Sequence, residues 1–296
     1  MALTPAQLSQ WEEEGYLVLP SFFSQAETKE MLDRTHALLS SFDPTTHPLT
    51  RFTTAADGPN AHVGDEYFLN SGDKIRFFLE PGAVTPATAT EPARLNVPAD
   101  RSVNKIGHAL LLDPVFGKYT LGDRMTEVAK SLGAHKSARV LQSMVICKQP
   151  RIGGEVPCHN DSTFLYTDPP SAVGCWIALE DCTPQNGCLS FLPGSHKTAR
   201  ISSRFVRASG GGTTFEPVPC VKPNEEDWDA LPGWKEAPCT AGTMVLIHGS
   251  VMHRSPPNPS NRTRIIYTFH MVDGECVYDE KNWLQPTPEM PFAKLF

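Results

Sequence analysis

The stretch EVPCHNDSTFLY, residues 155–166, places His159 and Asp161 two residues apart. In extended backbone, residues i and i+2 point to the same side, so this imidazole and carboxylate could grip one metal ion. Chance also supplies such pairs: ten His and fifteen Asp in 296 residues give roughly 0.5 His-x-Asp triplets at random, the false-positive risk of any short motif. A third ligand is needed, together with a reason for the metal.

The segment LIHGSVMHRSPPNPSNRTRIIYTFH, residues 246–270, offers His248 and His253, followed by Arg264 at the head of a strand-like run. If extended, His253 and Ser255 share a face. A hairpin through Pro256–Arg262 would bring Arg264 back near that face. Two His and one carboxylate leave the opposite side of an iron open, as in non-haem Fe(II) oxygenases. A guanidinium several ångströms away suits the far carboxylate of a dicarboxylate cosubstrate. A zinc hydrolase could use the same His and Asp with a water in the open position, although it has no use for the arginine. Arg264 could also simply flank an edge strand.

These residues need elements to position them. Thr4 before Pro5 predicts a helix start, running to Glu14 and stopping at Gly15, with a short strand at Tyr16–Leu19 after it. Ser24 opens a second helix with Glu27 at the capping-box position, and a further helix fits Leu121–Leu132, closed by Gly133. Residues 42–104 are rich in Pro, Thr, Ala and Gly around one apolar run, Ile75–Leu79. That is too long for a passive connection, so the segment is either disordered or a lid over the site, and the lid is expected. From Arg139 the runs VLQSMVICK, AVGCWIALED, GCLSFLPG, GTMVLIHG and RIIYTFHMV, separated by turn residues, predict a sandwich or barrel. One domain over 1–296 is expected, with helices and lid to about 138 and the β core after it.

Composition narrows the partners. A net charge of −7 and a pI near 5.8 argue against a nucleic-acid or anionic-membrane surface and for a small-molecule substrate. No run approaches the roughly 18–20 apolar residues of a membrane span. Acidic residues stand where a signal peptide needs an apolar core, and Phe296 spoils a peroxisomal Ser-Lys-Leu-type ending, so the cytoplasm is the expected compartment. The eight cysteines form no C-x-x-C pair and read as reduced thiols, Cys158 beside the ligand segment among them as a small filler. A monomer or weak oligomer is expected.

The spacing His159-x-Asp161, then His253-x-Ser255, then Arg264 eleven residues after His253, resembles that of the 2-oxoglutarate oxygenases of the phytanoyl-CoA dioxygenase family. EEEGYLVLPSFFS, NKIGHAL, LQSMVICKQP, WIALEDCTPQNGCLSFLPGSH, LIHGSVMH and NWLQPT are similar to that family too, so the likeness runs over nearly the whole chain, thinning in 42–100 and 200–235. The resemblance implies a mainly β fold with flanking helices around a double-stranded β-helix, a cupin-like jelly roll. It implies Fe(II) held by His159, Asp161 and His253, with His253 preferred to His248 because Ser and Arg follow it at the family's spacing. Arg264 and Ser255 would bind the distal carboxylate of 2-oxoglutarate, and Trp176, Lys105 and Met144 would line its pocket. Trp176 and Met144 could instead be core, whereas an unpaired Lys105 ammonium among apolar neighbours would be costly and points to a carboxylate partner. The implied reaction consumes 2-oxoglutarate and O2, releases succinate and CO2, and hydroxylates or desaturates an unactivated C–H bond of a small, lipid-like included, substrate. Asp161 fills the position that halogenating relatives leave small. A non-catalytic 2-oxoglutarate-binding module and a zinc hydrolase remain open alternatives, and no basic contacts for an acyl-CoA are identifiable.

Overall fold

Strands that are buried on both faces cannot alternate in polarity, and Arg264–Asp273 is buried at every position. It is the centre of the fold. The computed structural model describes residues 2–49 and 66–296. In chain order its two main sheets use β1 (Tyr16–Leu19), β2 (Ile75–Leu79), β3 (Val103–His108), β4 (Ala138–Lys148), β5 (Val156–His159), β6 (Val173–Ala178), β7 (Leu189–Phe191), β8 (Lys235–Ala237), β9 (Met244–His248), β10 (His253–Ser255) and β11 (Arg264–Asp273). The larger sheet runs β1-β9-β6-β11-β4-β3-β2 and the smaller β8-β7-β10-β5, with antiparallel neighbours throughout. From β4 onward the chain passes back and forth between the two layers, except that β7 and β8 pair with each other in the smaller sheet, which is the course of a jelly roll.

The outward side chains of the larger sheet, among them Leu17, Val145, Ile177, Leu246, Tyr267 and Phe269, bury against helices. These are α1 (Pro5–Glu14), α2 (Gln25–Ser40), α3 (Pro114–Thr120) and α4 (Asp123–Leu132). The inward side chains, Trp176, Ala178, Val245, Ile247 and Ile266, meet Leu189 and Phe191 of the smaller sheet. The predicted capping box forms at Ser24 with Glu27, Thr4 caps its helix as expected and completes a second box with Gln7, and Gly15 and Gly133 close their helices in the left-handed conformation. No helix among the described residues is long and apolar enough to cross a membrane.

Two expectations change. The helix expected over 121–132 starts two residues later, because Gly122 adopts an extended conformation and N-caps α4 at Asp123 while Leu121 caps the end of α3. Within the segment expected to be a lid, Ile75–Leu79 pairs with Val103–His108 as an edge strand, and residues 50–65 lie outside the described residues. Finally, β10 and β11 do not form a hairpin. β10 pairs with β5 and β7 in the smaller sheet, and β11 with β4 and β6 in the larger, so the Pro256–Arg262 loop crosses between layers.

Candidate metal and cosubstrate site

His253 and His159 are direct cross-strand partners on β10 and β5, so both imidazoles project into the interior, with ring centroids 4.2 Å apart. Each ring is oriented from behind. His159 Nδ1 donates to the Pro157 carbonyl at 2.8 Å and His253 Nδ1 to the Val251 carbonyl at 3.1 Å. With the proton on Nδ1, each Nε2 keeps the lone pair a metal needs. Burial, reinforced by His159, pushes the His253 pKa down to about 4, so it is neutral at ordinary pH. Phe191, stacked on Tyr16 at 4.1 Å, backs the His253 ring.

Asp161 joins them by a turn, not by strand alternation. β5 ends at His159, and Asp161 opens a single 3-10 turn capped by Asn160, whose Oδ1 accepts from the Thr163 amide and hydroxyl. The Ser162 amide donates to the Gly249 carbonyl at 2.8 Å, tying this turn to the connection before β10. Asp161 Oδ1 then stands 3.7 Å from His159 Nε2 and 3.8 Å from His253 Nε2, and the three ligand atoms lie within 4.8 Å of one another. Burial alone would raise the Asp161 pKa, but His270 and His253 beside it hold the carboxylate well below its usual range. Two imidazoles and one carboxylate form a donor set that fits Fe(II).

The cosubstrate candidates lie on β3, β4, β6, β10 and β11. Arg264, 2% exposed, has its Nε buried without a hydrogen-bond partner among the described residues. Its guanidinium lies 5.8 Å from the Trp176 ring, and the groups that act to raise its pKa against burial are the thiols of Cys182, Cys147, Cys188 and Cys239, with no carboxylate among them. A buried guanidinium without a counter-ion is costly, and this orphaned donor fits a ligand carboxylate. Directly opposite it on β4 is Lys148, fully buried, whose Nζ donates to the carbonyls of Gly154 at 2.8 Å, Ser255 at 3.0 Å and Pro256. Burial, with Arg264 alongside, pushes its pKa down to about 6. Lys148 thus ties the end of β10 to the strand pair that carries Arg264, replacing the expected hairpin.

Ser255 is buried near by, past a bulge in β10, with its hydroxyl donating to the Gly187 carbonyl at 2.8 Å. Met144 and Trp176 flank Thr268 in one cross-strand row, so all three share the inward face. Lys105 opposes Ile146 in the neighbouring row and is 8% exposed, and burial pushes its pKa down to about 7. His248 lies elsewhere, against Trp11 and His196, with Nδ1 accepting from the Ser250 amide. Cys158 is no reactive thiolate, since burial pushes it up to about 12.

Two site residues escaped the sequence: Lys148 and His270. The imidazole of His270 approaches Asp161 Oδ2 at 3.3 Å. Its signal was parity, because Arg264, Ile266, Thr268 and His270 fall on one face of a regular strand.

Against this geometry stand the comparisons. The family model for phytanoyl-CoA dioxygenase (PhyH) matches residues 11–266. The chain belongs to the phytanoyl-CoA dioxygenase family. Phytanoyl-CoA dioxygenase domain-containing protein 1 of Bos taurus is 42% identical over 301 residues, covering 99% of both chains. Among solved structures, EctD from S. alaskensis with 2-oxoglutarate and 5-hydroxyectoine aligns with a TM-score of 0.62 at 19% identity, over 97% of this chain and 83% of that one. The non-heme alpha ketoglutarate dependent carbocyclase SnoK from nogalamycin biosynthesis gives 0.62 at 17% identity, over 98% and 96%. These likenesses carry the fold, a mainly β structure with a jelly-roll core. As a phytanoyl-CoA dioxygenase family member the protein is an oxidoreductase of the iron- and 2-oxoglutarate-dependent class, with Fe(II) as its metal and 2-oxoglutarate and O2 as cosubstrates.

Proposed function

We propose that this protein hydroxylates or desaturates an unactivated C–H bond of a small, largely apolar molecule. The observation that carries this reading is the pairing of a His159–Asp161–His253 cluster with Arg264, a buried cation lacking a carboxylate partner among the described residues. A hydrolytic zinc site would have no use for that arginine. Bound Fe(II), 2-oxoglutarate and O2 supply an oxidative decarboxylation to succinate and CO2 coupled to oxidation of the substrate.

The residues of this chain do the rest. His159 and His253 offer Nε2 lone pairs fixed by backbone carbonyls, and Asp161 offers Oδ1. Arg264 holds the distal carboxylate of 2-oxoglutarate by its forked donors, with Ser255 beside it once its hydroxyl turns from Gly187. Lys105 supplies a second cation, and Met144 and Trp176 wall the pocket and exclude water. Asp161 occupies the position at which a small residue would admit a halide, which favours oxygen insertion or desaturation. On the substrate side Phe164 packs edge-on to His159 at 5.9 Å and clusters with Phe205 and Phe215. That aromatic wall supports an apolar, lipid-like substrate over a highly charged one. The chain acts as one unit over 1–296, since one core cluster joins Trp11 and Met31 to Tyr267 and Phe269.

The test is untargeted mass spectrometry of a metabolite extract incubated with protein, Fe(II) and 2-oxoglutarate. A compound gaining one oxygen or losing two hydrogens, in step with succinate formation, is expected. Succinate formation that no extract stimulates would count against a small-molecule substrate.

A further inference from the structure

We propose that His270 is a positioning residue for the metal carboxylate: it restrains Asp161 Oδ2 so that Oδ1 alone is presented to the iron. The proposal rests on the His159–Asp161–His253 assignment and adds a residue to it.

The two carboxylate oxygens face different groups. Oδ1 looks toward both ligand imidazoles, at 3.7 and 3.8 Å. Oδ2 is buried, and His270 Nε2 approaches it at 3.3 Å. At that distance the pair is close but not aligned as a strong hydrogen bond, so metal binding has a short adjustment to complete. The imidazole is itself oriented. Gln142, directly opposite on β4, brings its amide nitrogen to 3.3 Å from His270 Nδ1. An amide NH2 only donates, so Nδ1 accepts and the ring proton sits on Nε2, aimed at Oδ2.

The third member of this cross-strand row is Gly174, opposite His270 on β6. A Cβ there would come within 3.2 Å of Asp161 Oδ2 and 3.4 Å of His270 Nε2. The missing side chain is what lets strand, carboxylate and imidazole meet. Gln142, His270 and Gly174 therefore form one row spanning three strands, built behind one oxygen. The role asks for an N–H donor and a clear path, not for a charge. A carboxylate released from His270 can swing Oδ2 toward the metal as well, crowding the side left for 2-oxoglutarate.

Fe(II) binding by anaerobic calorimetry, with Co(II) absorption as a spectroscopic readout, tests this. In His270→Phe the affinity should fall by about 10–100-fold, the usual effect of losing a partner that orients a metal ligand, with an altered Co(II) spectrum. His270→Gln, which keeps a neutral N–H donor, should recover most of the affinity and the native spectrum. Gly174→Ala should mimic His270→Phe. Wild-type affinity and spectrum in His270→Phe overturn the proposal, and so does a His270→Gln variant as impaired as His270→Phe. If His270→Phe does not fold, native Fe(II) affinity in Gly174→Ala overturns it. Failure of the underlying assignment looks different: Asp161→Ala and His159→Ala would then bind Fe(II) as wild type does.

Discussion

Arg264 and His270 stand on the same face of one strand, six residues apart. Arg264 lies by Trp176, and His270 reaches Asp161 of the His159–Asp161–His253 cluster. At about 3.4 Å per residue the strand sets their Cα atoms roughly 20 Å apart. Because this strand is buried on both faces between β4 and β6, the spacing is held by the core instead of by a loop.

The ligand set makes the first prediction. His159→Ala, Asp161→Ala and His253→Ala should each lose Fe(II) binding and Fe(II)-dependent conversion of 2-oxoglutarate to succinate. His248→Ala should keep both, since His248 packs on Trp11 and His196, outside the cluster. Succinate detected by NMR reads the outcome. Loss of iron in His248→Ala with retention in His253→Ala would reverse the assignment.

Arg264 makes the second prediction, in which function and stability move in opposite directions. Arg264→Met should weaken 2-oxoglutarate binding by about 2–5 kcal/mol, the cost of truncating one partner of a buried charge pair. The ligand-free protein should gain in thermal midpoint, because an apolar side chain of similar length replaces a buried cation with no counter-ion among the described residues. Iron affinity should change little. Unaltered 2-oxoglutarate affinity would remove the main argument for where the cosubstrate sits.

What the sequence made legible was local. Thr4 announces its helix as a cap ahead of Pro5, and Ser24 does so because its capping box with Glu27 is complete within four residues. The metal triad was legible through motif spacing, although the convergence of Asp161 on His159 comes from a 3-10 turn. The partner of β11 was not legible, since a Pro-rich loop of that length serves a hairpin and a crossover equally well. Lys148 at a strand end reads as a surface lysine, and only the layer above it, closing three carbonyls over its Nζ, makes it interior. His270 was hidden because uninterrupted burial of β11 erases the alternation that would have marked its face.

Residues 66–104 carry a third prediction. Ile75–Leu79 should be protected from hydrogen exchange even without ligand, because its backbone is laddered to β3. Phe78 lies directly opposite Lys105, so 2-oxoglutarate with an inert divalent metal should slow exchange further in this edge pair. Fast exchange at 75–79 in the free protein, unaltered by cosubstrate, would detach this segment from the site.

Lys105 gives the last prediction, a pH dependence with a definite sign. Burial pushes its folded pKa down to about 7, against 10.5 for an ordinary lysine. In the ligand-free protein the cost of burying the ammonium is fully present below pH 7. Between about 7 and 10.5 the unfolded chain holds the extra proton, so stability rises with pH across that window. Cosubstrate binding runs the other way. A carboxylate placed against Lys105 favours the ammonium, so above pH 7 binding must take up a proton and affinity should fall by up to about tenfold per pH unit. Lys148, pushed down to about 6, and His253, pushed down to about 4, titrate mainly below this range. Calorimetry of 2-oxoglutarate with Mn(II), between pH 7 and 9 in buffers of different ionisation enthalpy, counts the protons directly. Lys105→Met should bind more weakly at pH 7 and lose the proton uptake, whereas Lys105→Arg should retain binding without the pH slope. Equal proton uptake in wild type and Lys105→Met would place the titrating group elsewhere and take Lys105 out of the cosubstrate pocket.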